Sequence, residues 1–300
     1  MNKIHKSQAA FGASLVVTSS FFYGLYGVWT KLMGSSFGIY QQAVFRSMLV
    51  VAIMLVIATT RKELSPLHWQ RDARWFALSI ISSGLISGPL YYATLRVGVG
   101  LAAALCYAGI ILGMFLFGWI FSRERYTARK FIATGLAFVG LACIFAPSVH
   151  TLGLLALLAA LEAGLATGLN VVASQKMPYS ASQTTIIAWT GGILINIVLT
   201  YLTGEQHHHL TFDISWLYLV LFALTSIAAS WSVIRGVKLI DAGSAGLLGL
   251  LEIVFGVVFG MLFFAERPSS LAFIGMVAII LAAAIPYLDH FKRRRTSITL

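Results

Sequence analysis

The chain has 300 residues, 59% of them hydrophobic and only 10% charged, with a formal net charge of +11. A soluble domain carries about 25% charged residues, so this chain has too few polar side chains to cover a water-exposed surface, and it falls in the membrane class. In that class the positive balance is read as basic loops held on one side of a bilayer, not as a nucleic-acid surface.

Lys3 and Lys6 precede the first apolar run. The pattern mimics a signal peptide, but the run is about spanning length and further spans follow, which predicts a retained first helix. Ten apolar spans are expected in order: 11–30, 39–59, 75–95, 99–121, 129–146, 151–172, 184–203, 214–234, 243–264 and 270–288. The longest connections are 60–74 and 204–213, too small to form a soluble domain. With the N-terminus inside, 17 of the 21 Lys and Arg residues fall on inside segments. Lys31, Arg96 and Arg267 fall outside, and Arg46 lies within a span. This bias puts both termini in the cytoplasm, as an even number of spans requires.

The chain also repeats. At an offset of 142, Phe117, Gly118, Phe121, Glu124, Arg125, Phe131 and Ile132 meet Phe259, Gly260, Phe263, Glu266, Arg267, Phe273 and Ile274. Five spans per half is an odd number, so the halves, 1–147 and 148–300, insert in opposite senses. The fold class is therefore read as an all-α integral membrane protein, with ten transmembrane helices as two inverted five-helix repeats. Inverted repeats are a recurrent plan of secondary transporters, whose substrate site lies near the midplane between the halves.

Ionisable groups inside spans are costly, and each is a candidate for function. Glu252 shares a face of the ninth span with Gly249, Gly256 and Gly260. Glu162, in the sixth, shares a face with Ala166 and Asn170, beside a ridge of Ala160, Gly164 and Gly168. Small residues on one face let a second helix approach closely. Each carboxyl lies about 15 Å from a span end at helical rise. A low dielectric disfavours the charged form, so either could exchange protons, stay ionised against a substrate ammonium, or serve as a hydrogen-bonded structural group. Arg46, with Gln42 one turn before it, could hold a substrate carboxylate, neutralise a glutamate across the bundle, or snorkel to the interface.

Tyr23, Tyr26, Trp29, Tyr91, Tyr92, Tyr107, Trp189 and Trp231 could wall a cavity, where rings stack on substrate, or face lipid; Trp69 and Trp216 suit interfacial anchoring. Pro89 after Gly88 is a hinge or a packed kink. Cys106 and Cys143 read as small core residues. No CxxC or HExxH spacing is present, and the adjacent histidines 207–209 lack the i, i+4 geometry of a helical site, so neither metal nor cofactor is expected. The missing GxSxG elbow argues against an intramembrane enzyme. Lys292 to Arg295 are expected against anionic lipid head groups.

Together these residues resemble the EamA branch of the drug/metabolite transporter superfamily across nearly the whole chain. The likeness is carried by Tyr23–Gly24 with Lys31 closing the first span, Arg46 in the second, Glu124 ending the fourth, Leu251–Glu252–Ile253, Glu266 and the Gly275 span. Where the family often has Trp, Pro and a mid-sixth-span aromatic, this chain has Tyr23, Ile253 and Glu162. The resemblance implies an inner-membrane exporter of amino acids, amines or similar small metabolites, with protons as a candidate coupling ion. It also implies a cavity walled by spans 1–4 and 6–9, with spans 5 and 10 peripheral. The site residues expected from both readings are Glu252, Glu162, Arg46, Tyr23, Trp29, Gln42, Tyr92, Tyr107, Asn170 and Trp189. A gradient-independent exchanger or an uptake system is the alternative.

Overall fold

A computed structural model describes residues 3–34, 36–145, 153–205 and 213–287. The histidines 207–209 and the basic run 292–295 lie outside the described residues. Twelve α-helices are present among those described: α1 (Lys3–Gly24), α2 (Tyr26–Met33), α3 (Ile39–Thr60), α4 (Trp69–Val97), α5 (Val99–Ser122), α6 (Ala128–Phe145), α7 (Leu154–Lys176), α8 (Ala181–Leu202), α9 (Ile214–Val237), α10 (Ala242–Gly249), α11 (Leu251–Phe264) and α12 (Ser270–Ala284). They make ten apolar spans, because α1 and α2 are two pieces of the first and α10 and α11 two pieces of the ninth. Large apolar side chains such as Val56, Leu202, Leu262 and Ile274 are exposed on the outer faces, as they must be where the solvent is lipid.

The packing follows the repeat. α4 packs on α7 and α9 on α1; α5 packs on α7, while α10 and α11 pack on α1. α4 meets α8 as α9 meets α3, and the pairs α3–α8 and α6–α12 each relate a span to its own counterpart. Exchanging the first five spans for the last five thus maps these main contacts onto one another. The correspondence reaches the backbone. Arg123 and Ala265, 142 positions apart, both end their helices with φ near +50° (51° and 53°). The Glu124 amide then donates to the Gly118 carbonyl at 3.2 Å, and the Glu266 amide to the Gly260 carbonyl at 3.2 Å.

Glycines bring the halves together. On α5 and α7, Gly109 meets Gly164 and Gly113 meets Gly168; a Cβ on Gly168 would lie 2.7 Å from the Met114 amide nitrogen. The ridge read in the sixth span is therefore the seam between the repeats, with Ala160 fully buried beside it. The ninth-span glycines divide their roles: Gly256 faces the Gly24 carbonyl, Gly260 faces Glu266, and Gly249 has open space around it.

Spans 1 and 9 are broken at Leu25 and Leu250, where the helical ladder shortens to Leu25 N–H to Phe22 O at 3.2 Å and Ile253 N–H to Leu250 O at 3.0 Å. Ser20 lies between the breaks and its hydroxyl is 3.1 Å from the Leu248 carbonyl. Freed backbone groups in a membrane bundle need such side-chain partners.

Polar contacts stitch the loops at one end, here called the basic end. Gln183 and Ser65 bond reciprocally, with Gln183 Nε2 donating to Ser65 O at 2.7 Å and the Ser65 hydroxyl donating to Gln183 Oε1 at 2.9 Å. The Tyr179 hydroxyl donates to Asp72 Oδ2 at 2.6 Å, and Gln175 Nε2 donates to the Val237 carbonyl at 2.8 Å. Lys238 donates to the Met177 carbonyl at 3.1 Å and to the Tyr179 carbonyl. Burial lowers the Lys238 pKa to about 8, the direction expected when an ammonium loses hydration. At the opposite end, Glu205 caps α3 through the Tyr40 and Gln41 amides at 3.1 and 3.0 Å, and Lys31 pairs with Glu266 at 2.8 Å.

Candidate functional site

A cavity of about 250 Å³ lies between the repeats. α1 and α2 contribute Tyr23 and Tyr26, α3 contributes Arg46 and Ser47, and α4 contributes Ser83 and Ile86. From the second repeat come Thr167, Asn170, Val171 and Ser174 of α7, Trp189 and Asn196 of α8, and Ser230, Val233 and Ile234 of α9. Both halves therefore wall it. Spans 4 and 9 supply none of its lining; they buttress spans 1 and 6 from behind, which narrows the expected set of cavity helices to spans 1–3 and 6–8.

Arg46 is the one charged residue in the lining. Its guanidinium carbon stands 4.2 Å from the Phe222 ring centroid, 5.2 Å from Tyr26 and 5.4 Å from Trp189. Tyr26 and Phe222 meet edge to face at 4.6 Å, so two of the three rings are in contact, and the Trp189 ring approaches the guanidinium separately. Ser230 ties two of the walls: Trp189 Nε1 donates to its hydroxyl at 3.0 Å, and the Tyr23 hydroxyl lies 3.3 Å from it. Asn170 Nδ2 sits 3.0 Å from the Ser79 carbonyl, 3.1 Å from Ser82 Oγ and 2.9 Å from Ser83 Oγ, joining α7 to α4.

Of the ten site residues expected from the sequence, Tyr23, Arg46, Asn170 and Trp189 are in this lining, as is the wall candidate Tyr26. The other six lie elsewhere. Glu252 accepts a hydrogen bond from the Tyr107 hydroxyl at 3.0 Å, in the seam between α11 and α5. It remains within electrostatic reach of Tyr23 and Tyr26, as does Arg46. Glu162 is half-buried on α7, with Cys106 feeling both it and Glu252. Trp29 packs with Met33, Phe37, Leu219 and Phe222, one turn beyond Tyr26. Gln42 is half-buried on α3, a turn nearer the helix start than Arg46. Tyr92 lines a separate recess at the far end with Pro89, Tyr40 and Glu205. The physical reason is common to these: a 3.6-residue period puts residues of one span on different faces, and only packing chooses which face turns inward.

Sequence reasoning missed Asn196, Ser230, Ser47, Ser83 and Ser174. Asn196 carried a usable signal, a polar amide inside an apolar span. The serines carried little, since serine in a membrane helix readily bonds its own preceding turn, as Ser47 does to the Ala43 carbonyl at 2.6 Å.

Comparison with known proteins bears on this arrangement. The EamA-like transporter family matches residues 10–146 and again 154–288. An uncharacterized transporter of Helicobacter pylori (strain J99 / ATCC 700824) is 20% identical over 285 residues, covering 92% of this chain and 93% of that protein. A protein crystal structure shares the fold with a TM-score of 0.74 at 15% identity, covering 92% of this chain and 96% of that one.

Proposed function

This chain belongs to the EamA-like transporter family, and from that premise we propose that it is a secondary transporter exporting small metabolites, such as amino acids or similar amphipathic solutes, across the inner membrane by alternating access. The observation that carries the reading is the cavity walled by polar and aromatic side chains of both repeats, the place where inverted-repeat transporters bind their cargo. The lysine and arginine bias supports reading both termini as cytoplasmic, and on that reading the stitched basic end is the cytoplasmic one. Rocking of one half against the other would expose the cavity at each end in turn.

Reconstitution in liposomes tests this. Saturable counterflow of a labelled small solute is the expected result; absence of flux from folded protein, across a panel of acids, amides and amines, would reject it. On the proton-coupled form of the reading, an imposed pH gradient stimulates flux, and Glu252→Gln removes at least about 90% of that stimulation while leaving counterflow and folding intact. The proton reading rests on cost: a carboxyl in the bundle interior is far easier to keep neutral than charged. One observation favours the alternative of a gradient-independent exchanger. Glu252 is held by Tyr107 outside the cavity lining, as a structural carboxyl would be. Gradient stimulation that survives in Glu252→Gln would decide for that alternative or for a different coupling group.

A further inference from the structure

We infer that the cavity takes an organic anion, and that Arg46 receives the carboxylate of a small monocarboxylic acid with an apolar body; the inference rests on the transport reading for the role of the cavity. Among the described residues, no carboxylate lies within ion-pair distance of Arg46 and no hydrogen bond is made by any of its N–H groups. Its Nε is buried without a partner. A guanidinium carries five donors and stays charged in a protein. To the extent that burial removes its water, that charge is destabilising unless paired.

The three rings around Arg46 offset part of this cost through their quadrupoles. They cannot accept the planar fork of N–H groups, which is matched by the two oxygens of a carboxylate. Glu252, the intramembrane carboxyl within electrostatic reach of Tyr23 and Tyr26, already accepts from Tyr107 and does not line the wall. The protein thus holds a cation facing the cavity, and no carboxylate in the lining pairs with it. An amine would enter a wall of the same charge with no acidic residue in the lining. A neutral solute would leave the guanidinium unpaired. Ile86, Val171, Val233 and Ile234 complete the wall, which fits an apolar body behind the carboxylate.

A matched trio separates the possibilities: 4-methylpentanoate, 4-methylpentanamide and isoamylamine present similar branched bodies with negative, neutral and positive heads. Purified protein is assayed for protection against thermal unfolding, and proteoliposomes for counterflow, with each probe. The carboxylate alone is expected to protect and to exchange. Arg46→Gln is expected to raise its half-saturating concentration at least about tenfold, the scale of one lost charged hydrogen bond, and to erase its preference over the amide. Arg46→Lys should keep the preference for negative charge with weaker protection. Should Arg46→Gln fail to fold, the ranking of the trio on the unaltered protein decides. Protection by the amine or amide equal to that by the carboxylate overturns the inference, as does a carboxylate preference that survives Arg46→Gln. Counterflow of the amide or amine without the carboxylate overturns the anion assignment and leaves transport standing. Carboxylate protection without flux supports the anion site and overturns the transport reading; neither protection nor flux with any probe overturns both.

Discussion

Gly164→Val is expected to abolish recovery of folded protein, or to lower stability by more than about 3 kcal/mol, the upper range for overpacking a dense interior. The argument is geometric. A Cβ at Gly164 would fall on the Cys106 carbonyl and 2.8 Å from the Gly109 Cα. Those are backbone atoms of α5, so no rotamer change relieves the clash; the whole helix must move away from α7. Because α5 belongs to the first repeat and α7 to the second, the displacement separates the halves along their seam. Gly135→Ala is the control: nothing lies within 4 Å of a Cβ there, and alanine is the better helix former by about 1 kcal/mol. Size-exclusion profiles and melting curves in detergent check both. A normally folded Gly164→Val protein would mean that the seam between α5 and α7 is looser than its glycines indicate.

Glu124→Ala and Glu266→Ala should differ sharply although the two residues are counterparts in the repeat. The Glu124 carboxylate accepts the Ala242 amide at 2.9 and 3.1 Å and the Tyr126 hydroxyl at 2.9 Å. Asp241 takes the Ser244 amide at 2.8 Å, so two carboxylates satisfy the start of α10, where orphan N–H groups and the helix dipole favour negative charge. Burial and the neighbouring carboxylate hold the Tyr126 hydroxyl well above its usual pKa, keeping it a donor. Loss of Glu124 strips these bonds at once and should cost about 2–4 kcal/mol, on a scale of about 1.5–3 for a bond to a charged group. Glu266 instead meets Lys31 in a pair whose side chains are 54% and 55% exposed, worth less than about 1 kcal/mol. Melting curves of the two variants should therefore lie several degrees apart. Equal shifts would show that the cap on α10 contributes no more than a surface ion pair.

Much of the fold was legible from residue order alone, for a stated reason. A bilayer imposes a length and a composition on every span, and both are visible without knowing any contact. The limits of that signal are equally physical. The third span begins at Trp69, six residues ahead of its expected start, because Arg71, Asp72 and Arg74 in its first turns are helical but not apolar. The breaks at Leu25 and Leu250 left no mark in hydropathy, since both sides of each are apolar. For the cavity, Tyr23, Arg46, Asn170 and Trp189 stood out as polar or aromatic groups in apolar surroundings. That Tyr92 and Trp29 turn elsewhere, and that Ser230 links Tyr23 to Trp189, depends on helix rotation, which arises only when ten helices pack together.

The break in the first and ninth spans has a mechanical consequence for the proposed alternating access. Their counterparts in the repeat, the sixth and fourth, run unbroken as α7 and α5. One plan, used twice, thus has two forms: an interrupted pair of spans on one side of the pseudo-two-fold axis and a continuous pair on the other. On the alternating-access reading, such a molecule would be like a balance resting with one pan down. The opposite pose needs no new parts, only an exchange of shapes between the pairs: α5 and α7 would flex where the other pair flexes now, and Glu266, released from Lys31, would stand toward the first amides of the fourth span as Glu124 now stands toward those of the ninth. On that reading the free-energy gap between the two poses would depend on what differs between paired positions rather than on what they share, so substitutions that make the halves more alike should level the balance.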